Sequence, residues 1–453
     1  MSAFVEEDLI QRVLDLLGCR DHATFLRRLA EYHKALGYGH MATRPEKVSR
    51  WKRGVRPDRY AEMALASMLG VPVGQVRMLG WPGWLRVALN ADQVLLNAPW
   101  TPAGALEVLD HLGKPDSMDR RAAILSGGAL AAATLNNWTS ASAATGVHDP
   151  ARPHVTDRST TLIDARLAAL RQLDDEIGSA ETYALARAER ASIVTVLRTR
   201  SFSEAVTRRL FSAAAEASRI CGWCAFDSGN MAVAEHHYMG AARAAASAQD
   251  PVATANLFTF WAMARYSDND TSGALDYAQE ALRHAQRTDS PRLIALAHAR
   301  TSRAHAKAGD LLASRRSEEA AFTAFEAAGD TSVEPACVYW VSKEELHSWA
   351  ASNATDLGDP RRALRHYAAI ATLRREAEQD TYPRSRALRL VREAKAHLSL
   401  RDVDAALHVA DQAVQTMGGV TSTRGTTILT GLRSTLQSHR QLPEVRKFLE
   451  RTA

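Results

Sequence analysis

Three short stretches carry residues whose types and spacing could do chemistry. Cys221-Gly222-Trp223-Cys224 is a CxxC, the spacing of a redox dithiol or of half a zinc site. His236-His237-Tyr238 sets two imidazoles side by side. Residues 47–57, KVSRWKRGVRP, crowd cations around a tryptophan, a composition suited to a polyanion. Each chemistry makes its own demand on the surrounding structure. A redox CxxC sits after a strand, at a helix N-terminus. A zinc site needs two further ligands, and the sequence holds no second CxxC. Adjacent histidines on a helix point about 100° apart and rarely hold one ion together.

The elements around two of the three do not suit the chemistry. Cys221 and Cys224 fall inside an alanine-rich helical stretch, where positions i and i+3 share a face, so packing is expected of them. The histidine pair is expected to be solvated or to line a groove. No Walker A, strand-bound GxGxxG, GxSxG or HExxH string occurs. No catalytic residue, metal or cofactor is expected, and the chain does not read as an enzyme.

The 453 residues are 46% hydrophobic and 24% charged, with few aromatics and much alanine. Continuous period-two Val/Ile/Thr runs are nearly absent, so the fold class is expected to be all-α. The formal net charge is +5, and Arg44 to Arg59 alone holds seven basic residues against Glu46 and Asp58. The charge is thus concentrated at one end. The acidic, amphipathic opening MSAFVEEDLIQR and the lack of a long apolar run lead us to expect a cytoplasmic protein with reduced thiols and no membrane partner.

The elements that must position the basic string are legible. Leu9, Ile10, Val13, Leu14 and Leu17 share one helical face, and Gly18 closes it. Phe25, Leu26, Leu29 and Leu36 repeat the pattern before Gly37 and Gly39. Thr43, Pro45 and Glu46 read as a helix start with a capping box. That helix is expected to stop at Gly54, with Val48 and Trp51 turned inward and Glu46, Lys47, Arg50 and Arg53 outward. A fourth helix, YAEMALASMLGV, ends at Gly70.

VSRWKRGVRP followed by LASMLGV resembles the recognition-helix region of the Cro/repressor-type (XRE-like) helix-turn-helix family. It is similar to actinobacterial regulators with a W-rG-RP signature, a long insertion before the recognition helix, and a C-terminal tetratricopeptide (TPR) domain. Here the insertion is EYHKALGYGHMATRP, and the likeness covers residues 5–80. It implies a double-stranded DNA operator as partner, with Thr43, Arg44, Glu46, Lys47, Ser49, Arg50, Lys52, Arg53 and Arg56 as the DNA-binding set.

Residues 81–160 are expected to be a linking segment. An Arg pair precedes a small-residue apolar run, DRRAAILSGGALAAATLNNW, and a linking helix is expected there rather than an export signal. Residues 139–160 read as a flexible linker. From residue 161 onward the chain is self-similar. The turns Gly229-Asn230, Asn269-Asp270, Gly309-Asp310, Gly358-Asp359 and Arg401-Asp402 recur at 40, 40, 49 and 43 residues. Small or apolar residues stand five and twelve positions after each turn and five before it, Ile370 and Asn353 being the largest. This resembles a TPR array, so an α-solenoid over 161–453 is expected.

Groove liners expected from that likeness are Asn256, Arg265, Arg300, Arg303 and Lys343, with Tyr266, Arg389 and Arg392 beside them. The combined expectation is a homodimeric transcriptional regulator. Its TPR domain senses a signalling peptide, as in quorum sensing, or another small molecule or partner. The alternative is a TPR scaffold that binds proteins without a specific DNA site.

Overall fold

The computed structural model describes residues 9–452 except 20, 54, 70, 72, 74, 75, 78, 79, 86–93, 96, 97, 114–133, 136, 139, 148, 378–382 and 418–422. The described residues are helical, with no strand and only the isolated bridges Val147–Phe202 and His154–Ser201. The all-α expectation therefore holds. The chain divides into two units: residues 1–97 with 119–135, and residues 98–118 with 136–453. The expected linking helix over 119–138 lies almost wholly outside the described residues, as do Gly54 and Gly70.

Among the described residues of the first unit, the helices α1 (Leu9–Leu16), α2 (His22–Ala35), α3 (Glu46–Lys52) and α4 (Arg59–Met68) share one core. Asp21 starts α2 by accepting from the Thr24 amide at 2.7 Å, and Asp58 starts α4 by accepting from Ala61 at 2.9 Å. α2 packs on α4 and α3 on α1. Ile10, Val13, Leu14, Phe25, Leu26, Leu29, Val48 and Leu65 fill the interior. Two expectations need correcting. Leu36 lies past the end of α2 and is exposed. The capping box at Thr43 does not form, because α3 begins at Glu46 with Pro45 as its N-cap and no side-chain cap. Pro45 already supplies helical φ, so the short helix starts without one.

The second unit opens with α5 (Pro102–His111), which packs on the helices Ser179–Thr199 and Met231–Ala248 of the stack that follows. Within residues 139–160, expected to be a flexible linker, Ala144, Val147 and Val155 are instead bonded to the stack. The Ala144 amide donates to Ser247 at 2.8 Å, Val147 and Phe202 exchange two bonds, and the Val155 amide donates to Ser201. Polar, Pro-rich composition marks this stretch as non-helical, but it finds its partners in the backbone ends of neighbouring helices.

The stack comprises α6 (Asp157–Ile177), α7 (Ser179–Thr199), α8 (Glu204–Asp227), α9 (Met231–Ala248), α10 (Pro251–Ser267), α11 (Thr271–Ala285), α12 (Pro291–Lys307), α13 (Leu311–Glu326), α14 (Lys343–Asp356), α15 (Pro360–Ala377), α16 (Pro383–Ser399), α17 (Val403–Met417), α18 (Thr423–Leu436) and α19 (Pro443–Arg451). Consecutive helices from α6 to α17 pack on one another, and alternate helices from α6 to α18 also neighbour one another, forming one continuous layer.

The hairpin corners are the turns found in the sequence. Gly229, Asn269, Gly309, Gly358 and Arg401 all take positive φ, between 61° and 81°. The next residue then caps the second helix: Asn230, Asp270, Asp310, Asp359 and Asp402 each accept from the amide three residues on. The left-handed corner reverses the chain in the shortest distance, and the cap restarts the helix at once. Every small position singled out around these turns is buried, including Cys224, Ala234, Ala264, Ala274, Ala304, Ser314 and Ala396.

Gly222 shows how tight the approach is. A Cβ placed there would lie 2.5 Å from the Tyr238 ring of α9. Gly222→Ala is therefore expected to destabilise the second unit by about 1–3 kcal/mol through overpacking. Thermal denaturation checks this; an unchanged melting temperature would show that the α8–α9 contact has slack.

Candidate functional site

In the first unit, Val48 and Trp51 anchor α3 in the core, and burying them contributes about 2 kcal/mol each. With one face pinned, the opposite face is presented to solvent. Arg44, Glu46, Ser49, Arg50 and Arg53 are exposed, as is Thr43 before the helix, and Lys47 is half-buried. Arg44, Lys47 and Arg50 make no ion pair with the described residues. Arg53 Nε donates to the Ser49 carbonyl at 3.2 Å, which holds its guanidinium along the helix.

Two members of the set are differently employed. Lys52 Nζ donates to Gln11 Oε1 at 2.6 Å and ties α3 to α1. Arg56 pairs with Glu62 at 2.9 Å; the Arg56 side chain is 63% exposed, whereas that of Glu62 is fully buried in α4. Glu62 also accepts from Trp84 Nε1 at 2.8 Å. Arg56 thus fastens the segment after α3 to the core, a role that its place in a basic string conceals.

The second unit holds a cavity of about 700 Å³. Its walls come from α6, α8, α10, α12, α14 and α16, two hairpin corners, and residues 339–340 of the connector between α13 and α14. The lining is therefore the layer of alternate helices. Of the expected liners, Arg300 and Arg303 reach the cavity, as do Tyr266 and Arg392. Asn256, Arg265, Lys343 and Arg389 are not among the lining residues. Arg265 is fully buried and pairs with Glu235 at 2.7 Å, where Trp261 Nε1 also donates. Asn256 donates to Glu216 at 3.0 Å, Arg389 pairs with Glu344, and Lys343 is exposed at the start of α14.

Glu216 of α8 does not line the cavity itself but anchors two cations that do, Arg171 and Arg219. Burial alone would raise its carboxyl, but Arg219 at 2.8 Å and Arg171 at 2.7 Å hold it down at about 2. At the other wall Asp356 receives Arg303 at 2.8 Å and Lys307 at 3.1 Å. Aromatic rings stand among these charges: Arg219 lies 4.2 Å over Phe260, and Trp223 Nε1 donates to Asp174 at 2.7 Å.

The cysteine and histidine stretches are placed by the same packing. Cys221 and Cys224 are free and fully buried within α8. Burial pushes the Cys221 thiol up to about 11 and raises Cys224 too, opposite to the activated thiolate that redox work needs. The expected solvent or groove position of the histidines is corrected: His236 and His237 are buried in α9. His237 bridges Arg190 Nη1 at 2.8 Å and the Tyr183 hydroxyl at 3.0 Å, while Arg190 Nη2 donates to the Leu112 carbonyl after α5. Among the described residues no group of three or more His, Cys, Asp or Glu is placed to hold a metal. No described helix is long and apolar enough to cross a membrane.

The connector, residues 327–342, has no periodicity that marks it in the sequence. It carries two short 3-10 turns, Thr331–Val333 and Ala336–Val338, and delivers Tyr339 and Trp340 to the cavity. The signal was present as the one interval of 49 residues in a series otherwise near 40.

No family model matches the chain, and no curated protein matches it in sequence.

Glu216 sets a pH dependence. Its folded pKa lies below the ordinary 4.5. Its contribution, up to about 3 kcal/mol, is therefore present above pH 4.5 and lost as pH falls toward 2. Glu216→Gln is expected to flatten the fall in stability between those values. Urea unfolding at stepped pH checks this, and a parallel loss in both proteins would remove Glu216 from the account.

Proposed function

We propose that this chain is a DNA-binding transcriptional regulator. Its first unit acts as a helix-turn-helix head with α3 as the reading helix. Its second unit acts as a TPR-like solenoid that takes a peptide or other small ligand and so modulates operator binding. The observation that carries the reading is the polarity of α3: Val48 and Trp51 are buried, while Arg44, Ser49 and Arg50 stand exposed around them. A cation row without carboxylate partners is what phosphate contact and guanine readout require. The second unit supports the sensing half through its cavity, whose volume is that of a small-molecule site. A two-fold dimer reading two half-sites follows from helix-turn-helix geometry. Ligand control would act by shifting the population of DNA-competent conformations.

Two substitutions separate reading from structure. After selection of bound fragments from genomic DNA, Arg50→Ala is expected to cost about 1–3 kcal/mol of affinity for the recovered site and to relax base preference, with stability unchanged. Arg56→Ala is expected to destabilise the first unit by about 1–2 kcal/mol, because Glu62 then keeps only Trp84 as partner and the lost pair is partly solvent-screened. Titration of the selected duplex alongside denaturation checks both. Unchanged affinity and preference in Arg50→Ala would rule out α3 as the reading helix.

A further inference from the structure

The cavity of the second unit treats its cations unequally. Arg171 and Arg219 share Glu216, and Arg303 and Lys307 share Asp356. Arg300 has no such partner among the described residues. It is 3% exposed, and its one hydrogen bond to them runs from Nη1 to the Tyr266 hydroxyl at 3.0 Å. Its Nε is shielded from solvent and has no acceptor. No described carboxylate lies within the 4.0 Å of an ion pair.

Arg300 lies 4.8 Å from the centroid of Trp349 and 5.9 Å from that of Trp340. Ring faces attract a guanidinium, but they do not replace the acceptors it gives up on burial. Arg392 and Lys395, further along the wall on α16, also lack ion partners among the described residues. Glu345 lies close enough to Arg300 and Arg392 to feel both, yet it pairs with neither, and burial raises its carboxyl above the ordinary range. The α12–α16 side of the cavity thus holds more positive charge than it neutralises.

The connector decides what shape of anion fits. The Tyr339 hydroxyl donates to Asp175 on α6. Trp340 packs edge-on against Trp349 of α14 at 5.8 Å and Phe260 of α10 at 6.1 Å. Arg292 holds the connector's far end through the Val341 carbonyl at 2.6 Å. The connector therefore crosses the lined face of the helix layer. An extended peptide running along that layer has to displace it, whereas a compact ligand does not.

We propose that the cavity binds a small aromatic carboxylic acid, its carboxylate taken by Arg300 and its ring packed against Trp340 and Trp349. This rests on the reading of the second unit as a ligand sensor and narrows it from peptides to compact acids. An Arg–carboxylate contact in a water-poor site is a strong, charge-assisted bond, and the aromatic wall supplies the apolar area.

The test uses the full chain and two matched pairs: 2-naphthoate with 2-naphthamide, and indole-3-propionate with its amide. Calorimetry is expected to show at least one acid binding about tenfold or more tighter than its amide, with the preference falling below about threefold in Arg300→Met. If Arg300→Met loses its helical circular dichroism, the double variant Arg392→Gln, Lys395→Gln replaces it; the acid should then weaken while the amide is unaffected. Neither acid binding, equal binding of acid and amide, or a preference that survives these variants overturns the proposal. Duplex titration in parallel keeps the two readings apart. Acid binding through Arg300 with no effect on DNA affinity would defeat the sensor reading and leave the site. DNA binding without acid binding would do the reverse.

Discussion

Helices of the second unit can pair only as closely as their contact residues are small, and the rest of that unit depends on this constraint. Alanine, glycine, serine and cysteine at the crossing points let the backbones approach, and Gly222 against Tyr238 leaves no room for one added methyl group. The gain is collective. Each alanine buries little area, but close-packed helices accumulate many dispersion contacts along their length. Aromatic rings fill the spaces between crossings, as where Trp261 and Tyr277 stack at 4.3 Å. A regular approach distance gives a regular stack, and a regular stack lines up alternate helices as a single layer. The cavity is a consequence of that layer.

Charge is then distributed by what the layer can solvate. Deep in the stack Glu235 and Arg265 are paired and closed off, as a buried charge must be. Nearer the cavity the pairs open into shared arrangements around Glu216 and Asp356, with rings beside them. Arg300 departs from this pattern, and the departure sits where the connector narrows the cavity. In the first unit the same logic runs outward: Glu62 is buried and satisfied by Arg56 and Trp84, while Arg44, Arg50 and Arg53 at and beside α3 are exposed.

Much of this could be read from the sequence because it is local. A left-handed corner needs Gly or Asn at most turns and a capping Asp or Asn after it, so the hairpins announce themselves at fixed spacing. Val48 and Trp51 at i, i+3 likewise fix the buried face of α3. Long-range pairing was not readable. Nothing adjacent to Arg56 signals that its partner is Glu62, and nothing adjacent to Arg265 signals Glu235. Arg265 and Asn256 have the composition of groove liners, but helix rotation turns them into the packed interior. The histidine pair failed for the same reason: α9 is buried around its circumference, so there was no solvent side for it to face. The connector was visible only as an irregular interval, because a segment with no periodicity has no pattern to read.

The claim on which the functional account rests is that Arg44, Lys47 and Arg50, at and before α3, contact phosphate. The most direct measurement is the salt dependence of binding between the full chain and its selected duplex. Each phosphate neutralised contributes a slope of about −0.9 in log K against log salt. The account predicts a steep linear fall, reduced by about one phosphate's share when Lys47 is replaced by Ala. A slope near zero, or one that Lys47→Ala leaves untouched, would contradict it.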